Sequence, residues 1–124
     1  MTLPRAAQLL PAPELLRVAA EAAASKKALD MVGLDLTGLD GVADFFLICS
    51  GASEPQVKAI AEAVEEKLRE RGAKAWHVEG REYRRWVLLD FVDVVVHVFH
   101  EQTRAYYLLE RLWGDARRVD LGVE

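Results

Sequence analysis

The spacing of apolar residues alternates between helical and strand periods along this chain. Residues 1–13 contain Pro4, Pro11 and Pro13 and read as a flexible lead-in. Pro13 suits a first helical turn; Leu15, Leu16, Val18, Ala19 and Ala22 then share one helical face, with Lys26 and Lys27 at the negative end of the dipole. Asp30–Leu36 alternates, placing Val32, Leu34 and Leu36 on one side, and Gly38 to Gly41 supplies a turn. Phe45–Ser50 is almost wholly apolar, the pattern of a strand buried on both faces. Ser53 and Gln56 have capping-box spacing at a helix start. Val57, Ile60, Ala61, Val64 and Leu68 form that helix's apolar face, Glu62, Glu65, Glu66 and Arg69 its solvated one, and Gly72 its stop. On the solvated face Glu65 and Arg69 make an i,i+4 pair. Lys74–Val78, Arg85–Phe91 and Asp93–Phe99 read as strands, the last two joined so closely that they form an antiparallel hairpin. Ala105, Leu108, Leu109 and Leu112 predict a closing helix over Glu101–Trp113, ended by Gly114, before a polar, mobile tail at 115–124. The order α-β-β-α-β-β-β-α predicts one α/β domain over residues 14–114, a mixed five-stranded sheet packed by helices.

Composition narrows the classes. With 124 residues the chain has room for one ordinary domain with a real core. Sixteen Lys and Arg against twenty Asp and Glu give a net charge of −4, which argues against a protein built to grip nucleic-acid phosphates. No apolar run reaches membrane-spanning length; Val94–Phe99 is interrupted by His97. Glu14 and Glu21 argue against reading the Ala-rich start as an organellar transit peptide, and no secretory signal is expected. A single cysteine, Cys49, rules out an internal disulfide and fits a reducing compartment.

Candidate chemistry is sparse. His77, His97, His100 and Cys49 lack the spacing of a metal site, with neither H-E-x-x-H nor paired C-x-x-C, so no metal is expected. Ser50-Gly51-Ala52-Ser53 lies at a strand-to-helix turn, but no glycine precedes it as a nucleophile elbow requires, and Ser53 serves as a cap. Gly51 and Ser53 before a helix resemble a phosphate-holding turn. A nucleotidyltransferase also needs closely spaced carboxylates on one strand, and Asp90 and Asp93, three apart across a hairpin turn, do not match that pattern. No catalytic residue and no cofactor are therefore expected.

The hairpin is more informative. Alternation puts Val87, Leu89 and Phe91 with Val94, Val96 and Val98 on a continuous aliphatic face. The opposite face gathers Trp86, Leu88, Asp90, Asp93, Val95 and His97. Such a mixture suits a docking surface, or else a helix covers it and Trp86 is buried; the pattern alone leaves both open.

Several blocks in order carry a resemblance. Ala43-Asp44-Phe45-Phe46-Leu47-Ile48-Cys49-Ser50-Gly51 and Gln56-Val57-Lys58-Ala59-Ile60-Ala61 open it. Val78-Glu79-Gly80, Trp86-Val87-Leu88-Leu89-Asp90, Asp93-Val94-Val95-Val96-His97-Val98-Phe99 and Tyr107-Leu108-Leu109-Glu110-Arg111-Leu112-Trp113 continue it. Over about residues 14–118 the chain resembles the ribosomal silencing factor (Iojap-like) family. The resemblance implies a nucleotidyltransferase-like fold without transferase chemistry. It also implies a cytoplasmic protein that binds the large ribosomal subunit through large-subunit ribosomal protein fourteen. Bound there, it blocks joining of the small subunit and represses translation under nutrient limitation. Little or no direct nucleic-acid binding, no membrane association and a homodimer of the free protein go with that reading. Trp86, Leu88, Asp90, Asp93, His97 and Glu79 are then the expected partner-binding residues. The family often has Gly before Asp93, where this chain has Val92; a β-branched residue resists positive φ, so the tightest primed turn is not expected. The alternative is a small nucleotidyltransferase-like enzyme that handles phosphates or nucleotides.

Overall fold

A single sheet of six strands organises the chain in a computed structural model that describes residues 10–39, 43–107, 114 and 116–123. In chain order the elements are α1 (Ala12–Ser25), β1 (Leu29–Asp35), β2 (Phe45–Gly51), α2 (Glu54–Glu70), β3 (His77–Glu79), β4 (Trp86–Asp90), β5 (Val94–His100), α3 (Glu101–Tyr107) and β6 (Arg117–Val119). Strand order is β3-β4-β5-β2-β1-β6; β2 and β5 run parallel, the other neighbours antiparallel. The mixed α/β architecture is the expected one. Of the closing helix, Glu101–Tyr107 is described, while Leu108, Leu109 and Leu112 lie outside the described residues, as does Gly41 of the predicted turn.

The central strands are the most apolar ones. All seven residues of β2 are buried, as its unbroken apolar run requires, because α1 and α2 cover one face while the other packs a second cluster. The helix-covered face joins Leu16, Val18, Ile60, Val64 and Leu68 to Leu47, Val87, Leu89, Val96 and Val98. Across the sheet lie Leu34, Leu36, Phe46, Ile48, Val95 and Phe99, with Trp86 and Leu88 packed against them.

Local signals explain the start of α2. The Ser53 hydroxyl accepts from Gln56 N at 3.2 Å, and Gln56 Oε1 reaches back to accept from Ala52 N at 2.6 Å. The same Gln56 amide donates to the carbonyls of Lys26 and Lys27, tying the end of α1 to the start of α2. The predicted Glu65–Arg69 pair forms at 3.6 Å, but Glu65's shorter bonds, 2.7 and 2.8 Å, come from Arg81 in the β3–β4 loop.

The sheet has six strands where five were expected, because β6 forms within the segment read as a tail. Its pairs are Gly33↔Val119, Leu34↔Arg118 and Asp35↔Arg117. Leu121, only 8% exposed, packs over Gly33, where any Cβ would come within 2.6 Å of a Leu121 methyl. Three residues are too few to show a strand period, so this pairing is set by the open edge of β1 and not by local pattern.

Candidate functional site

The strongest candidate surface is built by β3, β4 and β5. Register pairs Trp86 with Phe99, Leu88 with His97 and Asp90 with Val95, while His77 faces Asp90 and Glu79 faces Leu88. Directly opposed residues share a face. Thus Trp86, Leu88, Asp90, His97 and Glu79 do lie on one side of the sheet, joined by His77. Between them Val87↔Val98 and Leu89↔Val96 point to the helices, as predicted.

Exposure is graded across this face. On central β5, Val95, His97 and Phe99 are buried; on β4, Trp86, Leu88 and Asp90 are half-buried; on edge strand β3, His77 and Glu79 are exposed and joined at 2.6 Å. Neither of the two alternatives left open by the pattern holds for the whole face. Its inner strand β5 is core, β4 is half-buried and edge strand β3 is surface.

Trp86 is the hinge between these regimes. Its indole stacks on Phe99 at 4.8 Å between ring centres, and its Nε1–H donates to His97 Nδ1 at 3.1 Å. His97 is 4% exposed and makes an edge contact with Phe46 at 4.5 Å. Burial pushes the His97 pKa down to about 3, so the ring is neutral. At that depth His97 lies beneath the face and does not present itself to a partner.

The two aspartates part company. Asp90 Oδ1 accepts from Val92 N at 2.8 Å, an Asx-type bond that braces the hairpin tip. Asp93 is exposed in the turn itself, and its main-chain carbonyl accepts from Asp44 N and Phe45 N, anchoring the tip to the start of β2. Valine takes positive φ here although its branched side chain resists it: Val92 has φ +75°, Phe91 N donates to Val94 O, and Asp93 N donates to Phe91 O, both at 2.9 Å. The Asp93 N–Phe91 O bond closes a three-residue turn around Val92, the γ-turn with positive φ at its centre and not a primed β-turn. Strand register leaves only Val92 and Asp93 to close the loop, and closure overrides the backbone preference of valine.

Pattern reading missed Trp76 and Tyr83, which are 74% and 76% exposed and flank β3. Trp76 N donates to Asp90 O at 2.8 Å, and Val92 at the nearby hairpin tip is itself 58% exposed. Trp76 falls inside the segment read as a strand, Lys74–Val78, but the strand itself begins at His77. Gly80 holds the close approach of the β3–β4 loop: at φ +85°, a Cβ there would lie 2.0 Å from Trp86 O.

At the phosphate-like turn, Ala52 N and Gln56 N already donate to the Gln56 and Ser53 side chains. Ser50 Oγ, buried, accepts from Arg104 Nη1 at 2.9 Å, and the same nitrogen donates to Asp30 O at 2.6 Å. Cys49 is fully buried, and desolvation pushes its thiol up to about 12. Among the described residues no group of three His, Cys, Asp or Glu side chains is placed to hold a metal ion, and no helix is long and apolar enough to cross a membrane. A cavity of about 520 Å³ opens at the other end of the sheet between α1 and β6. Its Arg17 and Arg117 are engaged by Glu14, Glu21 and Asp35.

Residues 10–124 match the family described as "Ribosomal silencing factor during starvation". The chain is 53% identical over 108 residues to the ribosomal silencing factor of Halalkalibacterium halodurans, covering 87% of this chain and 92% of that one. It is 50% identical over 107 residues to the Bacillus subtilis protein of the same name, covering 86% and 91%. A crystal structure from Chromobacterium violaceum superposes with a TM-score of 0.83 at 36% identity, covering 93% of this chain and 95% of that one. With half of the aligned residues shared with named members over most of their length, and with the fold of a solved relative, the chain belongs to the ribosomal silencing factor family.

Proposed function

We propose that this protein silences ribosomes by occupancy. In the cytoplasm, the β3–β4–β5 face docks on large-subunit ribosomal protein fourteen and blocks joining of the small subunit, lowering translation under nutrient limitation. The observation that carries this reading is the graded face itself: half-buried Trp86 and Leu88 bordered by the carboxylates of Asp90 and Glu79. Trp86 supplies a large, rigid contact, Leu88 extends the apolar centre, and Glu79, Asp90 and Asp93 form a negative border suited to a basic ribosomal protein. His97 supports Trp86 from below. Occupancy needs no nucleophile, metal or cofactor.

Titration in a subunit-joining assay tests the proposal, with co-sedimentation on isolated large subunits as the binding readout. Inhibition is expected to saturate near one copy per large subunit. Strong inhibition at far lower ratios would show turnover and defeat the occupancy reading. Rising salt should weaken binding moderately, since border charges are screened over about 8 Å at physiological ionic strength.

A further inference from the structure

The geometry points to His97 as a positioning residue that holds the Trp86 indole in its docking orientation by accepting the indole N–H, leaving the ring to meet the partner without its own donor. This rests on the docking role of Trp86.

The strand around His97 makes the residue anomalous. Val94, Val95, Val96, Val98 and Phe99 are all buried, and His97 is the polar exception among them. Its Nε2 has no hydrogen-bond partner among the described residues. A buried polar atom without a partner is costly, and an aliphatic residue of similar size would fill this position without that cost. What an aliphatic residue cannot supply is Nδ1, which lies 3.1 Å from the indole nitrogen.

The donor rules settle the tautomer. Indole Nε1–H can only donate, so Nδ1 must carry a lone pair and the neutral ring holds its proton on Nε2. Trp86 is opposite Phe99 and diagonal to His97, a cross-strand separation that large rings can span. Stacking on Phe99 restrains the indole plane, and the hydrogen bond selects which edge turns inward. A side chain ordered before docking loses less freedom on association.

Three measurements test this. In the unmodified protein, long-range proton–nitrogen spectra should show His97 as the Nε2–H tautomer with an accepting Nδ1; an Nδ1–H tautomer overturns the inference, and this result does not depend on any variant folding. His97→Leu should melt at or above the parent temperature. Its Trp86 indole N–H resonance should move upfield, and binding to large subunits should fall about tenfold, equivalent to about 1.4 kcal/mol. His97→Asn, whose Oδ1 occupies the place of Nδ1, should restore most of the binding. A merely structural histidine predicts that Leu binds as well as the parent, and that result overturns the inference when Trp86→Ala abolishes binding. If Trp86→Ala itself binds like the parent, the docking role of Trp86 is what fails, and the positioning role falls with it.

Discussion

Replacing Val92 by glycine should stabilise this protein, although it removes a side chain. Val92 sits at φ +75° at the hairpin tip, with a branched Cβ where the backbone turns left-handed. Such a conformation costs about 1–3 kcal/mol for a non-glycine residue. Two effects oppose the relief. Glycine loses more chain entropy on folding, about 0.5–1 kcal/mol. The valine side chain also contributes some burial; fully buried it would give about 1.5 kcal/mol, and at 58% exposure less than half of that is realised. With strain near the middle of its range, the net gain is about 0.5–1 kcal/mol, or about 2–4 °C in melting temperature for a domain of this size. The turn bonds from Phe91 N and Asp93 N and the brace from Asp90 all involve backbone that glycine retains. Val92→Ala is the control: it loses the burial but keeps much of the left-handed penalty, so it should melt below the parent. Thermal denaturation of the three proteins should therefore rank Gly above Val above Ala. A glycine variant that melts below the alanine one would refute the claim that strain at φ governs this position.

Asp90 has both a structural and an electrostatic part, and two substitutions separate them. Asp90→Asn keeps an acceptor for Val92 N and should melt within a few degrees of the parent while binding large subunits more weakly at low salt. Asp90→Ala also loses the brace and should cost about 1 kcal/mol in denaturant unfolding. Ser50→Ala deprives buried Arg104 of one acceptor and should destabilise by about 1–3 kcal/mol; a smaller loss would show that Arg104 is satisfied by its other contacts. The Asp35 carboxyl is held below its ordinary range by the Thr37 hydroxyl first, then Thr37 N–H and Arg117. A depressed carboxyl stabilises the fold above its unfolded pKa of about 3.9, and the contribution is lost as pH falls through the lower folded value. The stability difference between the parent and Asp35→Asn should therefore be present at neutral pH and shrink below about pH 4. Cys49, buried with its thiol pushed up to about 12, should react with thiol reagents at pH 8 no faster than the surrounding amides open in hydrogen exchange.

Much of this protein is legible in its residue order, because the signals concerned are local. Ser53 and Gln56 mark the start of α2 through bonds within one helical turn, and the apolar run of β2 requires cover on both faces. The period of two in β4 and β5 separates Val87, Leu89, Val96 and Val98 from Trp86, Leu88 and Asp90, so the candidate surface is legible in the residue order. Other features depend on which distant segments meet. Arg104 reaches Ser50 and Arg81 reaches Glu65 across stretches with no shared pattern, and β6 exists because β1 has an open edge and Gly33 admits Leu121. The depth of His97 follows from the place of β5 in the middle of the sheet, which alternation along one strand cannot reveal. At Val92 the two levels conflict outright: local preference opposes positive φ, but the register of β4 against β5 leaves two residues to reverse the chain. Tertiary structure wins there because many strand bonds and a packed core together outweigh the strain at one backbone position.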